Sequence, residues 1–87
     1  MIVTVNVTAE HIEHGERLQC TTCPVALALN EQLPVGAPWR VDNGTLTAIT
    51  GKFGNMPLSV RQFVSSFDSQ VRVAPFSFEI DVPEEWA

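Results

Sequence analysis

The feature that most constrains this chain is an apolar helix that cannot be left uncovered in water. Residues Pro24 to Leu33 read PVALALNEQL. Pro24 suits a first helical position, where its missing N–H is no loss and its fixed φ is already helical. Cys23, or Thr22 before it, then stands at the cap. Val25, Leu29 and Leu33 recur every four residues, and Ala26, Leu27 and Ala28 widen the stripe, so burial over most of the circumference is expected. Pro34 and Gly36 stop the helix. Other elements must be laid around it, and 87 residues with a 45% hydrophobic share are enough to build one domain with a core.

The flanking sequence supplies those elements. In Ile2 to Val7, Val3, Val5 and Val7 alternate with Thr4 and Asn6, as in a strand with one apolar face. Thr8 is placed to cap a short helix, Ala9 to His14, with Val7 stapled to Ile12 and Gly15 as the stop. Glu16 to Thr22 reads as a loop. Trp39 to Thr50 reads as a hairpin about Asn43-Gly44. A two-residue turn sets Asp42 against Thr45, Val41 against Leu46 and Trp39 against Ala48, so Trp39, Val41, Leu46 and Ala48 share a face.

Gly51 to Pro57 is rich in glycine and reads as a loop. Ser59-x-x-Gln62 has the form of a capping box, with Leu58 stapled to Phe63; Val60, Phe63, Val64 and Phe67 then line one face of a helix to Asp68. After a turn at Ser69-Gln70, Val71 to Ile80 is expected to be extended, with Phe76, Phe78 and Ile80 inward and Pro75 favouring a sheet edge. Val82 to Ala87 is an acidic tail carrying Trp86. The order β-α-α-β-β-α-β predicts a small single-domain α+β fold, one sheet with helices packed on one face.

Chemically rich residues gather in His11 to Cys23. His11, His14, Cys20 and Cys23 form H-x2-H-x5-C-x2-C, four nitrogen and sulfur ligands of the kind tetrahedral zinc takes. The competing reading packs the thiols as small hydrophobes and leaves the histidines at the surface. Cys20-Thr-Thr-Cys23 at a helix start also has the form of a dithiol motif, in which the helix N-terminus would favour a Cys23 thiolate. Ala74-Pro75 stands where a thioredoxin-like fold would place a cis-proline, yet no strand leads into the cysteines and too little chain follows Pro75. No G-x-S-x-G elbow or Walker loop is present, and Glu31 reads as a solvent-facing residue of the apolar helix. No catalytic residue is expected.

The formal net charge is −5, and Arg17, Arg40, Lys52, Arg61 and Arg72 are scattered. Phosphate neutralisation dominates nucleic-acid affinity, so direct binding to DNA or RNA is not expected. No apolar run approaches the roughly 20 residues of a membrane span. MIVTVNVTAE lacks the basic and small-residue pattern of a signal peptide, which makes the cytoplasm the expected compartment.

Thr8 to Ile12, Cys20-x-x-Cys23-Pro24-Val25-Ala26-Leu27-Ala28, Phe63 to Asp68 and Pro75-Phe76-Ser77-Phe78-Glu79-Ile80 together resemble a family of small uncharacterised proteins of tailed bacteriophages and actinobacterial genomes. The likeness runs from about Val3 to Ile80 and is most specific in the C-P-x-A-L-A and P-F-S-F-E pieces. It implies a phage-related origin and no established activity, and it transfers no catalytic residue; the expected compartment is then the host cytoplasm. The expected function is a non-enzymatic interaction with a host or phage protein, without a cofactor, through Glu10, Glu13, Glu16, Glu84, Glu85 and Trp86. A homodimer is a further expectation. The alternatives are a zinc-binding module and a thiol redox protein.

Overall fold

The computed structural model describes residues 1–42 and 44–86, with only the backbone of Lys52. The elements are β1 (Ile2–Val7), α1 (Ala9–His14), α2 (Pro24–Gln32), β2 (Arg40–Asp42), β3 (Thr45–Ala48), β4 (Gly51–Asn55), α3 (Leu58–Asp68) and β5 (Phe76–Asp81). Short 3₁₀ turns follow at Pro34–Gly36 and Glu84–Trp86. The fold is α+β.

The strands form two antiparallel sheets rather than one: β1 with β5, and β2-β3-β4 in that order. In the first, Val3, Val5 and Val7 stand opposite Ile80, Phe78 and Phe76, so the apolar alternation of both strands faces inward. In the second, Val41 pairs with Leu46 and Asp42 with Thr45, the register that a two-residue turn imposes. Asn43, half of the expected turn, lies outside the described residues.

The Gly51 to Pro57 stretch is not a loop through most of its length. Gly51–Asn55 pairs with β3, and the register steps from Leu46 opposite Gly54 to Thr47 opposite Lys52. Phe53 is therefore one residue too many, a β-bulge that re-aims its side chain. The ring goes to the core, with its centroid 5.4 Å from that of Trp39.

Trp39 anchors this side of the core. It is fully buried, its Nε1–H donates to the Leu33 carbonyl at 2.9 Å, and its backbone N–H donates to Asn30 Oδ1 at 2.8 Å. The last helical carbonyls have no partner within the helix, so the indole both fills space and ends α2. Around α2, Val25, Ala26, Ala28, Leu29 and Leu33 are buried. On the other side Phe63, Phe76 and Phe78 stack in series, with centroids 4.6 and 5.9 Å apart.

Three helix ends depart from expectation. Gly15 closes α1 with φ −71°, an ordinary extended value. It is needed for closeness, because a Cβ there would lie 2.5 Å from Cδ of Pro24. α3 begins at Leu58 with Pro57 at the cap and no side-chain cap bond, so the Ser59 capping box does not form. At its other end Gln70 takes φ +65°, with Gln70 N–H bonded to the Phe67 carbonyl and Val71 N–H to the Ser66 carbonyl. That is a Schellman ending with glutamine where glycine is usual. The cis peptide is Ala37–Pro38, not Ala74–Pro75.

Candidate functional site

The sequence concentrates nitrogen and sulfur ligands in His11 to Cys23, and the fold separates them. His11 is the third residue of α1, where a capping box holds glutamate or glutamine. Its Nδ1 accepts the Thr8 backbone N–H at 2.9 Å, while Thr8 Oγ1 accepts the His11 backbone N–H at 3.4 Å. With Nδ1 accepting, the ring hydrogen sits on Nε2, which faces Glu31 Oε1 at 3.3 Å. The ring is buried, contrary to the surface reading, whereas Glu31 is exposed as expected.

Glu31 lies near the end of α2 and Cys23 caps its start. They lie eight positions apart, about 12 Å at 1.5 Å per residue. His11 and Cys23 thus mark opposite ends of one helix, and His14 is exposed. Among the described residues, no three His, Cys, Asp or Glu side chains are placed to share a metal ion.

Cys23 does cap α2: Sγ accepts the Ala26 N–H at 3.5 Å. That bond and the helix start favour a thiolate, as expected, but burial is the larger effect and pushes the thiol pKa up. Cys20 is half-buried, and its carbonyl accepts the Val41 N–H at 2.8 Å, fastening the loop to β2. Its thiol is also pushed up, by desolvation first and by the nearby Asp42 carboxylate second. Both cysteines border a cleft of about 390 Å³ that Asp42, Met56, Arg61 and Asp68 help to line. Asp68 accepts the Leu18 N–H there at 3.0 Å, a bond that holds the loop against α3. Both thiol shifts work against the thiolate, which is the attacking form of a cysteine.

The expected contact residues fall in two places. Glu10, Glu13 and Glu16 are exposed along and just after α1, and Glu84 and Glu85 are exposed in the last 3₁₀ turn. Trp86 is not an exposed anchor. It is half-buried, stacked on Phe53 at 5.6 Å and edge-on to Trp39 at 6.1 Å.

A second opening leaves little trace in the sequence, because its wall reads there as a loop. A groove of about 210 Å³ runs between β4 and β5, bordered by Leu46, Phe53, Gly54, Glu79, Ile80 and Asp81. Glycine inside the strand pattern was the available signal, since it marks a bulge or a close backbone approach.

Compared with known proteins, the chain matches no family model, and no curated protein or solved structure is significantly similar to it. No helix among the described residues is long and apolar enough to cross a membrane.

Proposed function

We propose that this protein is a non-enzymatic, phage-type interaction module that binds a host or viral protein in the bacterial cytoplasm. The observation that carries this reading is the state of the two thiols. They are the chain's strongest nucleophiles by residue type, yet Cys23 is buried with its Sγ capping α2. The thiol pKa is pushed up at Cys23 by burial and at Cys20 by desolvation and the nearby Asp42 carboxylate. His11, the ring that might have served as a base, is committed to Thr8 and Glu31. Acidic side chains on α1 and in the last turn face solvent instead, and the net charge of −5 favours a cationic protein surface over nucleic acid. The resemblance of the C-P-x-A-L-A and P-F-S-F-E segments to phage proteins supports the setting.

The test is capture from host lysate at physiological salt, followed by titration of the purified partner. Saturable binding that weakens as salt rises is the expected outcome. Absence of any saturable partner overturns the reading.

A further inference from the structure

Two small sheets have four outer edges, and the chain treats them unequally. The outer edge of β1 is closed at Asn6: its N–H donates to Gln32 Oε1 at 2.8 Å and its carbonyl accepts Gln32 Nε2 at 2.7 Å. On β2, the Val41 N–H is taken by the Cys20 carbonyl. The other two edges, of β4 and β5, border the same groove.

The pairing pattern shows what β5 leaves open. Val82 N–H donates to the Met1 carbonyl and the Met1 ammonium donates back to the Val82 carbonyl, which makes Met1 and Val82 a hydrogen-bonded pair. Alternation then turns the N–H and C=O of Ile80, Phe78 and Phe76 toward β1, and those of Asp81, Glu79 and Ser77 away from it. Among the described residues no hydrogen bond reaches those outward groups. An unpaired strand edge is a template for another strand.

We infer that the β5 edge receives an extended peptide segment in which apolar and basic residues alternate. This deepens the interaction-module reading and rests on it. Backbone pairing supplies affinity in such strand addition, and alternate side chains supply specificity. Side chains facing inward enter the groove, whose walls include Leu46, Phe53 and Ile80. Side chains facing outward lie beside Glu79 and Asp81, both exposed. Asp81 already accepts the Met1 ammonium at 2.8 Å, while Glu79 makes no ion pair among the described residues. Opposite charges directly across a strand pair are favourable and like charges are not. Gly54 leaves the far wall open: a Cβ there would meet nothing within 4 Å.

Two blocked six-residue peptides test this, one alternating valine with lysine and one alternating valine with glutamate. Each is titrated into the isotope-labelled protein while the backbone amides are followed by NMR. The lysine peptide shifts Ser77, Glu79, Asp81 and Gly54 saturably, slows exchange of the Glu79 and Asp81 amides at least tenfold, and binds at least tenfold more tightly than the glutamate peptide. Glu79→Lys, an exposed substitution, reverses the preference. Glu79→Pro removes one outward N–H without touching the bonds to β1, and it abolishes binding of both. Equal affinity for the two peptides, shifts confined to other residues, or no shift at millimolar peptide overturns the inference. The module reading is decided separately by its partner titration, so a partner still bound by Glu79→Lys with unchanged affinity sinks the groove alone.

Discussion

The segments His11 to Cys23 and Gly51 to Asn55 exchange their apparent roles on folding. The first is full of imidazole and thiol, and the His11 ring, the Cys23 thiol and the Cys20 carbonyl are spent on architecture: a helix start, a helix cap, a loop clasp. The second is poor in chemistry, yet it borders a groove with backbone left open beside it. Reactive residue types and open backbone therefore fall in different places in this chain. What distinguishes the two regions is whether their hydrogen-bonding groups are already occupied.

If the first region is architectural, it should answer to steric and capping changes. The largest effect is expected at Gly15→Ala, where the new methyl would collide with the Pro24 ring at 2.5 Å. Overpacking of this kind costs about 1–3 kcal/mol, read as a lower urea midpoint with an unchanged slope. A wild-type midpoint would mean that α1 and α2 are not pressed together there.

The next test separates a cap from a ligand. His11→Ala should lose about 1 kcal/mol with its capping bond, whereas His11→Gln should lose only a few tenths, since glutamine closes the same box. Equal losses, together with a melting temperature that falls when a chelator is added to the wild type, would restore the zinc reading.

The smallest effect concerns pH. Both thiols titrate higher in the folded chain than unfolded, so above the ordinary thiol pKa, about 8.5, the folded state holds more protons. Their contribution is complete below that pH and fades as pH rises toward the folded values. Between pH 7.5 and 9.5 in reducing buffer, the wild-type urea midpoint should drop more than that of a Cys20→Ser, Cys23→Ala double variant. Parallel drops would mean that the thiols are not shielded.

Much of the fold was legible where the signal was local. Thr8 and Pro24 announce their helices by cap chemistry, and the hairpin register follows from a two-residue turn acting on alternating apolar residues. Where tertiary contacts decide, the sequence misleads. Gly51 and Gly54 carry loop signals, but pairing with β3 and the pull of Trp39 on Phe53 make a bulged strand. Gly15 looks like a left-handed stop and serves as clearance for a ring. His11 occupies a position where glutamate or glutamine would have been read at once as a capping residue, and Trp86 turns back onto an aromatic cluster that periodicity could not reveal. Glu79 and Asp81 alternate with Phe78 and Ile80, but nothing local in the sequence shows the open edge that they flank.

The carboxamide of Gln32 has a wider consequence. By satisfying both main-chain groups of Asn6, one side chain substitutes for a neighbouring strand at that position of the β1 edge. Fibrous stacking needs a ribbon able to grow from both sides. A strand approaching β1 must displace the Gln32 carboxamide from Asn6, so addition on that side is disfavoured relative to β5.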